Sequence, residues 1–165
     1  MIPTPEPASG RFDGALHRFP VRVYYEDTDA GGVVYHSNYL RWFERARSDM
    51  LRLLGIDQRA ASEAGEGHYA VAEINLDELR HLYAVADLAI RYAAPARLDD
   101  AVTIETRALE IGAASVRMAQ KALRGEQVLA DATIRIGFVG PDGRPRRQPA
   151  DWRAKFAAFS SKDPA

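Results

Sequence analysis

The chain has 165 residues, enough for one globular domain, and its 47% hydrophobic and 27% charged residues are typical of an ordinary folded protein. A formal net charge of −1 gives no overall field for nucleic acid or an anionic membrane surface, and no stretch is apolar enough to cross a bilayer. The absence of cysteine excludes disulfides, thiolate metal sites and cysteine nucleophiles; it fits a reducing compartment, so we expect a cytoplasmic protein.

The N-terminal stretch MIPTPEPASG contains three prolines and lacks the apolar core of a signal peptide. It has too little apolar surface to offset the conformational entropy lost on ordering. We therefore expect a flexible tail over residues 1–17 and a single domain over residues 18–165.

The first regular elements form a strand, a turn and a long helix. Phe19–Glu26 alternates between apolar and polar side chains, which predicts a half-buried strand. Thr28–Val34 contains two consecutive glycines and reads as a turn. Ser37 or Asn38 is suited to cap the following helix, whose apolar periodicity continues to about Leu54.

The remainder of the chain is predicted to be mainly strand. A short helix over Asp57–Ala64 comes first, and the side chains of Trp152, Phe156 and Phe159 suggest a short closing helix. The predicted strands are Tyr69–Ile74, Ala84–Tyr92, Ala101–Ile111, Ser115–Leu123 and Val128–Val139. One long helix against mostly antiparallel strands predicts an α+β fold. Because a lone sheet exposes its edges, we expect a homodimer or a homotetramer.

One short sequence is repeated: Tyr69-Ala-Val-Ala-Glu-Ile recurs at Tyr83-Ala-Val-Ala-Asp-Leu. The repetition suggests that residues 72–85 are an insert within one strand. Because this length is even, we expect that removing the insert would keep the inward and outward faces of the joined strand.

Asp27 and Asp29 stand in the turn before the long helix and allow three interpretations. Aspartate is common in turns for structural reasons alone. A calcium loop fails, because its fifth and twelfth positions would be Gly31 and Asn38, which cannot supply the required ligands. Catalysis is favoured because a helix N-terminus can stabilise an oxyanion beside a carboxylate that attacks or activates water.

Two other groups could serve the same chemistry. His36, just before the predicted helix, is either a surface residue or a neutral hydrogen-bond donor that positions substrate. Arg144, Arg146 and Arg147 form either a solvated basic turn or a grip on the phosphates of a nucleotide-bearing substrate. No metal-ligand spacing appears, and we expect no metal or cofactor.

The stretch Arg22–Phe43 resembles the signature of the 4-hydroxybenzoyl-CoA thioesterase family. The matching residues are Arg22-Val23, Thr28-Asp29, Gly32-Val33-Val34-Tyr35, Asn38 and Trp42-Phe43. The wording is most similar to the branch associated with the Tol-Pal envelope system, and the likeness covers most of residues 18–150. The Pro-rich tail and the segment around residues 72–85 depart from the family pattern.

The resemblance implies a hotdog fold, with an antiparallel sheet wrapped around one long helix, and active sites at a dimer interface. It implies metal-free hydrolysis of acyl-CoA thioesters, with Asp29 as nucleophile or general base and a backbone N–H near His36 as oxyanion donor. Tyr35, Asn38 and Tyr39 are candidates for lining the acyl or pantetheine channel, and Arg146 and Arg147 for holding phosphates. An acyl carrier protein is an alternative carrier of the thioester.

Two other functions stay open at this point. A hotdog hydratase or dehydratase also acts on thioesters, and a non-catalytic module could bind an acyl carrier or an envelope complex. Retention of Asp29 and of the helix entry favours hydrolysis over the binding module.

Overall fold

The structure is a computed structural model that describes residues 6–71 and 87–160. The strands are β1 (Arg11–Asp13), β2 (Leu16–Arg22), β3 (His68–Val71), β4 (Asp87–Tyr92), β5 (Ala101–Ile111), β6 (Ser115–Arg124) and β7 (Gln127–Val139). The helices are α1 (His36–Leu53), α2 (Gln58–Glu63) and α3 (Ala150–Ala158), with a short 3-10 helix at Tyr25–Asp27. The described part of the chain contains no helix long and apolar enough to cross a membrane.

All seven strands belong to one antiparallel sheet, in the order β1-β2-β5-β6-β7, with β3 and β4 on the far edge of β7. The long helix α1 packs on one face of this sheet and buries Trp42 and Phe43 almost completely. Burying an aromatic side chain of this size contributes about 1.5–3 kcal/mol. The α+β architecture expected from the sequence is therefore confirmed.

Helix α1 ends as the sequence predicts but begins differently. Gly55 adopts a positive φ of 68°, and Ile56 N–H donates to the Leu51 carbonyl at 2.9 Å, which ends the helix. The predicted cap at Ser37 or Asn38 is wrong, because the helix already begins at His36 and its N-terminus has no side-chain cap. The Asn38 amide is instead bonded to the turn before the helix.

The first predicted strand and the N-terminal tail also need correction. The strand β2 ends at Arg22, and Tyr25 is 82% exposed in the 3-10 helix instead of facing the core. Residues 11–13 pair with β2, and His17 is fully buried beneath the N-terminal segment. Part of the expected tail therefore belongs to the packed structure, because this segment satisfies a buried carboxylate on α1.

A row of polar side chains crosses the inward face of the sheet beneath α1. His17, Thr106 and Gln120 are paired across β2, β5 and β6, and each is almost fully buried. Arg47 and Asp49 of α1 reach down to this row, with Arg47 Nη1 donating to Gln120 Oε1 at 2.6 Å. The row lies between two apolar clusters, one under each half of the helix.

Strands β3 and β4 lie end to end along the same edge of β7. Val71 pairs with Ile136, and Asp87 pairs with the next residue, Arg135. The two pairing registers therefore differ by 15 residues, not by the 14 of the sequence repeat (71 + 136 = 207; 87 + 135 = 222). The expectation that removing 14 residues keeps the strand phase is wrong; the predicted insert itself lies outside the described residues.

Candidate active site

Asp29 lies at the exposed turn that leads into α1. Its Oδ1 accepts the Gly31 N–H at 2.8 Å and the Val33 N–H at 3.4 Å, while its backbone N–H donates to the Val33 carbonyl at 2.9 Å. Its other carboxylate oxygen makes no hydrogen bond within residues 6–71 and 87–160. One oxygen thus fixes the orientation of the carboxylate and the other stays available.

Asp27 joins this turn to the helix through its main chain. The Asp27 carbonyl accepts the Tyr35 N–H at 2.9 Å and the Asn38 side-chain amide at 2.8 Å. The Asp27 carboxylate faces the opposite way and accepts the Tyr24 N–H at 2.8 Å. Asn38 is buried, so its amide holds the turn at a fixed distance from the first residues of α1.

His36 is the first residue of α1 and is exposed. In the described part of the chain, no acceptor contacts the backbone N–H groups of His36 and Ser37. Free N–H groups at a helix N-terminus carry partial positive charge and can bind an anionic oxygen. The His36 ring lies 4.3 Å from the ring of Tyr35, centroid to centroid, and contacts no carboxylate among the described residues.

An open concavity of about 280 Å³ lies beside this helix terminus. It is lined by Val34, His36, Tyr39, Tyr92, Ala93, Ala94 and Pro95. Asp29 does not line it, but its turn is joined to it where Thr28 pairs with Val34 and the Val34 N–H donates to the Ala96 carbonyl. The concavity is mainly apolar and is suited to an acyl group.

The two tyrosines predicted to bind substrate lie in different environments. Tyr35 is half exposed at the start of α1. Tyr39 is buried, its phenol oxygen accepts the Ala96 N–H at 2.9 Å, and burial raises the pKa of this phenol. Tyr39 therefore forms the floor of the concavity and also supports the fold.

Arg146 and Arg147 are not brought close to this turn within one chain. Pro145 bridges Val139 at the end of β7, whereas the helix terminus is bonded to Tyr92, which pairs with Ala130. At about 3.3 Å per residue, the two ends of this strand segment are about 30 Å apart. The Arg146 side chain packs against Gly140, where an added Cβ would lie 2.2 Å from its Nε, while Arg147 is exposed.

Sequence reasoning missed a buried carboxylate cluster around Asp49. His17 Nε2 lies 2.9 Å from Asp49 Oδ2, and Ser9, Gly10 and Arg52 also donate to this carboxylate. Burial lowers the pKa of His17 despite the nearby carboxylate. Burial alone would raise the pKa of Asp49, but hydrogen bonds from Gly10, His17 and Ser9 outweigh it and lower the pKa. A charged residue inside the apolar stripe of α1 was the available signal.

This cluster is remote from the turn that carries Asp29. Asp49 lies 13 positions after His36 on α1, which corresponds to about 20 Å along the helix axis. Among the described residues, no group of three or more His, Asp or Glu side chains is arranged to hold a metal ion.

Comparison with known sequences gives a consistent group of relatives. A model of the thioesterase-like superfamily matches residues 23–159. The acyl-CoA thioesterase YbgC of Haemophilus influenzae is 41% identical over 121 residues, which cover 73% of this chain and 79% of that protein. The acyl-CoA thioester hydrolase YbgC of Escherichia coli is 37% identical over 143 residues, covering 86% of this chain and 96% of that protein.

Solved structures show the same fold. A probable thioesterase from Bartonella henselae superposes with a TM-score of 0.67 at 36% identity, covering 81% of this chain and 99% of that one. A 4-hydroxybenzoyl-CoA thioesterase, solved with 4-hydroxybenzoyl-CoA, superposes with a TM-score of 0.71 at 21% identity, covering 86% of this chain and 98% of that one. The hotdog fold class is confirmed by these neighbours.

Proposed function

We propose how this chain, which belongs to the thioesterase-like superfamily and is an acyl-CoA thioester hydrolase, carries out its reaction. Asp29 supplies the carboxylate, and the N-terminus of α1 supplies the oxyanion donors. The observation that carries the proposal is their arrangement: a carboxylate with one free oxygen stands on a turn that Asp27 and Asn38 tie to uncapped helical N–H groups.

In this proposal the thioester carbonyl lies between Asp29 and the start of α1. The free carboxylate oxygen either attacks the carbonyl carbon, giving a mixed anhydride that water then hydrolyses, or takes a proton from the attacking water. Negative charge develops on the carbonyl oxygen, where the His36 N–H donates to it. The carbon–sulfur bond breaks as the tetrahedral intermediate collapses, and CoA leaves as a thiolate, so no strong general acid is required.

The acyl group occupies the concavity whose floor is Tyr39, and the exposed ring of Tyr35 is placed to contact the pantetheine arm. Asn38 acts through the turn, because its amide is already bonded to Asp27. Arg146 and Arg147 would bind the nucleotide phosphates of a substrate held mainly by the partner subunit, since about 30 Å separates them from the turn in one chain. Replacing Arg147 by Gln should raise KM for acyl-CoA, leave kcat unchanged and matter less at high salt.

Pairing of two chains would complete the site. Tyr24, Tyr25, Tyr35, Tyr92 and Leu98 expose apolar surface around the turn and the helix terminus. Among the described residues, no strand pairs with the outer edge of β4, which carries Tyr92. A homodimer or homotetramer is therefore part of the proposal, and so are a cytoplasmic location, an acyl carrier protein as alternative thioester carrier and the Tol-Pal branch.

The test is an assay of thiol release from acetyl-CoA through palmitoyl-CoA, together with benzoyl-CoA and crotonyl-CoA. We expect free thiol to appear with at least one saturated acyl-CoA and the matching free acid to form. Loss of the enoyl absorbance of crotonyl-CoA without thiol release would indicate a hydratase. No turnover with any substrate, in CoA or carrier-protein form, would support a binding module.

A further inference from the structure

Tyr92 connects the end of β4 to the start of α1. Its phenol hydroxyl donates to the carbonyl oxygen of His36 at 3.0 Å. Its ring makes edge contacts with the rings of Tyr39 and His36, at centroid distances of 5.6 Å and 6.2 Å. Tyr92 also lines the concavity, so a strand residue reaches the backbone of the helix terminus from the substrate side.

The His36 carbonyl belongs to the same planar peptide group as the Ser37 N–H. A hydrogen bond to the carbonyl therefore fixes the orientation of this N–H, and it polarises the amide so that the N–H becomes a stronger donor. The Ser37 N–H contacts no acceptor in the described ranges. It points, like all helical N–H groups, toward the N-terminal end of α1.

We propose that Tyr92 is a positioning residue for thioester hydrolysis: its phenol orients and polarises the peptide between His36 and Ser37, so that the Ser37 N–H is a second oxyanion donor beside that of His36. This inference rests on the proposed function. Tyr92 touches the donor peptide and not the reacting atoms, so it acts through the backbone.

The other tyrosine at this end of the sheet does not share the role. The Tyr39 hydroxyl accepts the Ala96 N–H and supports the loop that follows β4. The phenol of Tyr92 stays protonated at neutral pH, because partial burial raises its pKa above the ordinary value of 10.0. It is thus a permanent donor to the His36 carbonyl.

The experiment compares the wild type with Tyr92→Phe, which removes only the hydroxyl. We expect kcat to fall about 3- to 10-fold, the effect of one net hydrogen bond on a transition state, with KM and the midpoint of thermal unfolding nearly unchanged. Tyr24→Phe is the matched control, since this phenol is 63% exposed and outside the concavity, and it should behave as the wild type.

A spectroscopic measurement separates polarisation of the donor from a general structural effect. Asp29→Asn is used to hold substrate without turnover, and the ligand is the acyl-CoA that the wild type hydrolyses fastest, labelled with ¹³C at the carbonyl. Adding Tyr92→Phe should move the bound carbonyl stretch to higher wavenumber, because a weaker donor polarises the carbonyl less.

Unchanged kcat in Tyr92→Phe, or lower kcat with an unchanged carbonyl stretch, would overturn the inference while leaving the proposed function intact. Absence of thiol release by the wild type would instead refute the proposed function itself.

Discussion

Asp27 and Asp29 stand two positions apart in one turn, yet their carboxylates have different partners. The Asp27 carboxylate accepts the Tyr24 N–H before the turn, whereas one Asp29 oxygen accepts N–H groups within the turn and the other remains free. The sequence could identify both residues as turn aspartates next to a helix. It could not decide which one holds the chain, because that depends on main-chain geometry.

At the same scale, the His17–Asp49 pair was beyond sequence reasoning. The partners are 32 positions apart, and pairing them requires β2 and α1 to be packed together. A single histidine in a strand carries no sign of burial. Asp49 could be recognised only as a charge on an otherwise apolar helix face, without any indication of its partner.

The buried histidine predicts a pH dependence of stability. Unfolded His17 binds a proton near its ordinary pKa of 6.5, but the folded state resists protonation because burial lowers the pKa. The free energy of unfolding should therefore fall as the pH decreases below about 6.5, by at most about 1.4 kcal/mol per pH unit for one proton. The lowered pKa of Asp49 adds a further loss only near and below 3.8.

Thermal unfolding between pH 7.5 and pH 5 measures this effect. His17→Gln keeps a side chain that can donate to Asp49 but does not titrate, so its unfolding midpoint should change less with pH than that of the wild type. His68→Gln, at an exposed strand position, is the control. Equal slopes for His17→Gln and the wild type would contradict the burial of a neutral His17.

At the scale of elements, local patterns predicted what is determined locally. The period of α1, the glycine after its end and the turn at Gly125 place the long helix and the last hairpin within a few residues. The sequence misjudged the pairing of β3 and β4. Their registers on β7 are set by long-range hydrogen bonds, and the repeat in the sequence has a different period from the sheet.

The register predicts which deletion preserves the sheet. Deleting residues 72–86 joins Val71 to Asp87, whose partners Ile136 and Arg135 are already consecutive. Deleting residues 72–85 leaves one extra residue, which shifts β3 and turns Tyr69 away from its contacts with Phe138, Trp152 and Phe156. We expect the 15-residue deletion to unfold at a higher temperature than the 14-residue deletion.

Both deletions are compared by calorimetry in the same buffer, and thiol release is then measured for each folded variant. A higher midpoint for the shorter deletion would show that the two strands do not form one interrupted strand. A folded 15-residue deletion would also support the interpretation of this region as an insert.

At the scale of the whole molecule, the exposed residues around the active site predict self-association. The outer edge of β4 and the exposed side chains of Tyr25, Tyr35 and Tyr92 lie near the same helix terminus. Light scattering at assay concentrations should give twice or four times the mass of one 18.3 kDa chain. A fully active species of single-chain mass would contradict a site completed by a second subunit.

The central claim is that the Asp29 carboxylate performs the chemistry, and the turnover of Asp29→Asn tests it most directly. The Asn carbonyl oxygen can still accept the Gly31 N–H, so the turn and the unfolding midpoint should be preserved. We expect kcat for acyl-CoA hydrolysis to fall roughly 10²- to 10⁴-fold, the usual effect of losing a positioned acid, base or nucleophile. Asp27→Asn, whose carboxylate only accepts the Tyr24 N–H, should lose much less. Near wild-type turnover of a folded Asp29→Asn would contradict the account.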